Sequence, residues 1–336
     1  MSTVETENST SSAPTAADTP PEPGTGTATR GAAIGDASVA GGARSGAVAR
    51  AAGAGHRDRS DASPGAARAV LRLVGSELGL TFRRPRNIAM LILLACVPVV
   101  IGVALKAFGS DEETPAIVTQ VAGNGLMLTF LSLSMLVQLL LPLAVGVVAG
   151  DSIAGEANAG TLRYLLTAPA GRTRLLAVKA VNIGVFGLAA CAVVAVSGLI
   201  TGLVMFPVGP VTLLSGTTVP IMDGVLRVLI VTGYSAVGMA ALGLVGLAVS
   251  TLTEVPIGAV AATVVTVVFS QVIGAIPQLG PVRPYLLTTW WSSFDGALRD
   301  PIATDVMGQG LLVFAAYALV FGAIAWGRFS GRDITS

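Results

Sequence analysis

A chain of 336 residues in which 53% are apolar and only 12% charged, with mean hydropathy +0.77, has too few polar residues to coat soluble domains and reads as a polytopic membrane protein. A formal net charge of +1, with no basic stripe interleaved with aromatics, excludes a strong electrostatic case for nucleic-acid binding, and no nucleic-acid partner is expected. The two cysteines, Cys96 and Cys191, both lie in apolar runs and read as small buried thiols, which excludes a disulfide framework and a zinc site.

Residues 1–67 are Ala, Gly, Ser, Thr and Pro with scattered charge, and no Leu, Phe, Tyr or Trp precedes Leu71. Such a segment cannot bury enough apolar surface to offset its ordering entropy, so a disordered tail is expected. It has no apolar run of the secretory-signal kind, and its His56 is expected to be a solvated bystander. From Arg68 to Phe82, Val70, Leu71, Val74, Leu78 and Phe82 recur at spacings of three and four, as in an amphipathic helix lying in the membrane interface. Arg83, Arg84 and Arg86 follow, and an uncharged run then gives the first span, 88–105.

The next expected spans are 126–149, with a kink at Pro142, then 180–206, 225–250, 257–276 and 309–326. Asp223 stands four residues before Arg227, the spacing of an ion pair on one helix face. Gly146-x-x-x-Gly150 and Gly198-x-x-x-Gly202 would let helices approach closely; packing within the chain is the first reading and a dimer seam the second. The stretch 277–308 holds Pro281, Pro284, Pro301 and the pair Trp290-Trp291, and reads as an outside loop with tryptophans at the headgroup level. Within the spans the polar groups include the amides Gln138, Asn182 and Gln271, which serve either a substrate path or helix–helix bonding.

Between the second and third spans, Gly150–Lys179 is too polar for hydrocarbon and must face water. Leu162, Leu165 and Leu166 repeat at helical spacing, so Thr161–Thr167 reads as a short amphipathic helix, ended by Pro169 and Gly171. Arg172, Arg174 and Lys179 read as solvated bases that set topology. Gly155-Glu156, the turn Gly160-Thr161-Leu162 and the ending Leu-Leu-Thr-Ala-Pro-x-x-Arg together resemble the cytoplasmic loop of type-2 permeases of ATP-binding cassette (ABC) transporters. The tail from Gly327 to Ile334 is similar to that family's ending.

That resemblance implies an all-α integral membrane protein of six transmembrane helices, with an N-terminal interfacial helix and a cytoplasmic coupling helix. It implies a permease subunit, of the exporter kind, that forms the translocation path and is not itself an enzyme. The chain would bind no cofactor, ATP being used by a separate cassette ATPase subunit. A second permease subunit, identical or different, would complete the path. The coupling residues would be Glu156, Thr161, Leu162, Arg163, Leu165 and Leu166, with Glu156 pairing a base on the ATPase. Consistently, no Gly-x-x-x-x-Gly-Lys-Ser/Thr loop, hydrolase elbow or metal-ligand cluster occurs in the sequence. A membrane anchor without transport, or an ATP-independent carrier, are the competing expectations. With both ends placed inside, eleven Lys and Arg fall on the inner segments against four on the outer, the tail excluded, so both termini are expected to be cytoplasmic; the membrane expected is the bacterial inner membrane.

Overall fold

Apolar runs of this length leave the backbone no solvent partner in a bilayer, so each must close its own hydrogen bonds as a helix. The computed structural model describes residues 64–108, 124–160, 171–213 and 215–331. Six helices there are long and apolar enough to cross a membrane. Residues 1–63 of the expected tail, and the expected helix Thr161–Thr167, lie outside the described residues.

The amphipathic period becomes α1 (Pro64–Arg83), which starts on a proline, a residue suited to the first helical turn, and so begins inside the expected tail. One bent residue, Arg84, leads into α2 (Pro85–Phe108). The expected second span is two helices, α3 (Leu126–Gln138) and α4 (Leu140–Asn158). The break falls at Leu139 (φ −141°, ψ −56°) rather than at Pro142. A proline ring collides with the carbonyl four residues earlier and offers it no N–H, so the distortion appears on the N-terminal side, here at Gln138 and Leu139.

The third span is extended at its start and the fourth at both ends, as α5 (Arg172–Met205) and α6 (Ile221–Leu252), 34 and 32 residues. At 1.5 Å per residue these rods are about 50 Å long, well beyond a hydrocarbon core of about 30 Å. Between them Val211–Thr212 (β1) and Thr218–Val219 (β2) pair antiparallel, Val211 opposite Val219, around a turn in which Gly216 takes φ +82°. The fifth and sixth spans are α7 (Pro256–Ala275) and α8 (Thr304–Ser330).

Burial ranks these helices. In the span windows 67% of α6 is buried but only 17% of α2, α7 and α8, so α6 is central and the other three form the periphery. Residues Leu126 to Leu133 of α3 are all buried, which is why that helix is apolar on every side. Both small-residue pairs pack inside the chain. A Cβ on Gly125 or Gly202 would strike the other's backbone, and one on Gly198 would lie 3.0 Å from Thr129 Cα, so α5 and α3 touch backbone to backbone. On α7, Gly150 meets the backbone of Val260, while Gly146 meets the side chain of Thr263, 3.4 Å from where a Cβ would be.

Two expectations fail here. The stretch after α7 is a surface loop only in part: Pro277–Tyr285 is exposed as expected, but its second 3-10 segment, Leu287–Leu298, is buried along α6, with Trp291 and Phe294 each 1% exposed. Gly238 makes room for Trp291, whose Cδ1 lies 3.1 Å from where a Cβ would be. Trp290 donates its indole N–H to Pro284 O, and Tyr234 donates to Trp290 O. Nor does Arg227 pair with Asp223; it is buried, and its guanidinium donates to Ala297 O and to Arg299 O, the latter at 2.7 Å. Those carbonyls end a 3-10 segment and have no helical donors, so they take the buried guanidinium in place of the exposed carboxylate of Asp223.

Candidate functional site: the charged knot where α1, α4 and α5 meet

α4 does not end at the polar boundary expected near residue 150 but runs on to Asn158, and α5 begins at Arg172 rather than near 180. Both extensions hold because their charged residues are paired. Asp151 Oδ2 accepts from Arg84 at 2.6 Å and from Arg86 at 3.0 Å, which fixes the α1–α2 bend onto α4. A Cβ on Gly155 would lie 2.6 Å from Asp151 Oδ1, so the glycine one turn on leaves space for that carboxylate to lie back along the helix. Gly160, at φ +68°, closes α4, and Gly171, at φ +75°, precedes α5, so the connection begins and ends on residues suited to that backbone.

Lys179 is the centre of the knot. Only 3% of the residue is exposed, and its Nζ sits 2.5 Å from Glu156 Oε1 on α4 and 3.7 Å from Glu77 Oε2 on α1. It is therefore not the solvated, topology-setting base expected. Two carboxylates on one ammonium keep the desolvated charge paired, and an ion pair at this depth is stable only while every member is present. Arg172, in the first turn of α5, donates to Ser330 O at 3.0 Å and so ties the end of α8 to the same place.

A neutral layer lies one turn deeper. Asn182 donates to Thr81 Oγ1 at 2.8 Å and Asn87 to Thr81 O at 2.9 Å, all three residues being buried. From the far side Ser250, at the end of α6, donates to Gly150 O at 2.7 Å and accepts from the N–H groups of Ile153 and Ala154. The side chain thus enters the backbone ladder of α4 just beside its charged end.

Of the residues expected to couple, Glu156 is in the last turns of α4 and engages Lys179 of the same chain; Thr161, Leu162, Arg163, Leu165 and Leu166 lie outside the described residues. The connection that contains them starts and finishes on the knot. Sequence reasoning missed Glu77, Thr81 and Asp151 and put Lys179 in water, while Asn182 makes one of the helix–helix bonds expected of it. A signal was present: Glu77 and Thr81 share one face of α1 four residues apart, and Lys179 and Asn182 share one face of α5 three apart.

The knot joins α1, α2, α4, α5, α6 and α8, and among the described residues no group of three His, Cys, Asp or Glu is placed to hold a metal ion. What it does is tie six helices together at one end of the bundle through ion pairs and hydrogen bonds. A family model described as a protein of unknown function, DUF2705, matches residues 99–335, most of the chain. The chain belongs to DUF2705. In this DUF2705 protein the match opens in the middle of α2 and takes in α4, α5 and their connection, while α1 with Glu77 precedes it. No curated protein matches the chain.

Proposed function

We propose that this protein is the membrane-spanning permease subunit of an ABC transporter of the exporter kind, driven through its α4–α5 connection by a separate cassette ATPase. One observation carries the reading: that connection leaves from and returns to a knot of paired charges that grips helices throughout the bundle. A lever arm needs a rigid root, and paired, desolvated charges between helices provide one. The six apolar helices support a multi-pass membrane protein, and the resemblance of the 150–179 stretch to type-2 permeases supplies the partner. In this reading ATP is bound and hydrolysed on the partner, a second permease subunit completes the path, and both termini and the connection are cytoplasmic in a bacterial inner membrane.

The contact to the ATPase is assigned to the leucine face of 161–167, because Glu156 is already engaged by Lys179. Leu165→Asp is expected to leave membrane abundance unchanged while abolishing co-purification of the cassette ATPase and its stimulated ATP hydrolysis in lipid vesicles. Wild-type association and turnover in that variant would overturn the assignment.

A further inference from the structure

α1 carries a single acid, Glu77, and that acid is turned inward to Lys179. Its remaining charges, Arg68, Arg72 and Arg83, are exposed and make no ion pair or hydrogen bond with the described residues. At 100° per residue these three fall within about 60° of one another. Leu71 and Leu80, 70% and 60% exposed, flank them on either side. The exposed surface of α1 is thus a purely basic strip edged by large apolar side chains.

This strip continues into the apolar surface of the first span. Exposed positions follow at spacings of three and four from Leu80 and Arg83 through Arg86 and Ala89 to Leu93 and Cys96 on α2. Arg84 and Arg86 share the one carboxylate of Asp151, which leaves positive charge in excess at the bend as well. The other end of the bundle has no such excess: Lys106, Arg227, Arg283 and Arg299 are matched there by Asp223, Asp295, Asp300 and Asp305.

We propose that the exposed strip of α1 is a docking surface for anionic phospholipid headgroups, with Arg68, Arg72 and Arg83 on the phosphates and Leu71 and Leu80 in the acyl boundary. Basic side chains edged by leucines, in continuity with a face directed at hydrocarbon, are complementary to a charged membrane surface. A soluble protein partner would match the charge but not the leucines or the continuity. The proposal requires no ATPase and is independent of the permease reading.

The test uses the full chain in nanodiscs, with Ser76→Cys on the same exposed face carrying a polarity-sensitive fluorophore in a Cys96→Ser background; Cys191 is buried and stays unlabelled. Discs of phosphatidylcholine alone are compared with discs that also contain phosphatidylglycerol. The expected result is a blue shift only in the anionic discs, reversed by high salt, together with selective retention of spin-labelled phosphatidylglycerol over phosphatidylcholine. Each arginine contributes about fivefold to that selectivity. The triple variant R68Q/R72Q/R83Q should lose both signals, while a Cys191 thiol that stays unreactive shows the bundle intact. Equal emission in both discs, or selectivity unchanged in the triple variant, would overturn the proposal. Emission independent of lipid but altered by removing residues 1–63, or by dilution of the protein among discs, would give the strip to the tail or to a second copy and equally overturn it.

Discussion

Lys179 shows how little a charge's place in the sequence says about its surroundings. It stands at the margin of an apolar run, where a base ordinarily reaches water, yet only 4% of its side chain is exposed and it holds Glu156 and Glu77 from two other helices. Removing Lys179 leaves the Glu77 and Glu156 carboxylates facing each other largely out of water, a loss of about 3–5 kcal/mol. Lys179→Met should therefore lower the thermal midpoint markedly. The native Cys191 can report it, because that buried thiol reacts with a fluorogenic maleimide only on unfolding once Cys96 is replaced by serine. Adding Glu156→Met to Lys179→Met should recover part of the loss, since the carboxylate nearest the missing ammonium goes with it. Losses that simply add would refute the pairing. The same reasoning makes Glu156 a root for the connection rather than a free tip, which sequence alone could not decide because Glu77 is far away in the chain and visible only once α1 packs on α5.

At the scale of elements, the joint between α3 and α4 follows from one missing donor. Pro142 has no N–H for Gln138 O, and that carbonyl accepts instead from the side-chain amide of Gln271 on α7; the Gln138 amide in turn donates to Ser292 at 2.8 Å. Of the two roles open to these amides from the sequence, helix–helix bonding is the one the geometry displays. Gln271→Leu should cost about 1–3 kcal/mol by stranding the carbonyl. In a Pro142→Ala background, where the backbone again supplies a donor, the same change should cost less; an equal cost in both backgrounds would exclude this account. The small-residue spacings were legible because Gly146, Gly150, Gly198 and Gly202 mark bare ridges on single helices, a property local to the sequence. Their partners, Thr263, Val260, Thr129 and Gly125, were not, since nothing in a helical period says which neighbour fills the groove. The buried 3-10 segment escaped for another reason: prolines and tryptophans signal a chain that leaves the regular helix, but not whether it then lies on the bundle or inside it.

For the whole molecule, the six long apolar runs set the spans and their order, while the ends beside paired charges moved outward: α4 runs on to Asn158 and α5 starts at Arg172, where Asp151, Glu156, Lys179 and Arg172 all find partners. The proposed orientation predicts opposite reactivities at the two ends. With Cys96 replaced by serine, an impermeant maleimide applied to intact cells should label Gln278→Cys in the exposed 3-10 segment Pro277–Tyr285, and should reach Ala159→Cys, at the end of α4, only after permeabilisation. The reverse pattern would invert the orientation and remove the connection from reach of a cytoplasmic ATPase. The contacts on the first turns of α5 carry one more consequence. Glu77 of α1 and Ser330 of α8 both meet that short stretch, so the first and last described helices come together at one end of the bundle. Two copies can therefore be written head to tail as a single polypeptide without inserting an extra crossing between them. Such a fused tandem would fix the stoichiometry at two and allow an alteration to be placed in one half alone.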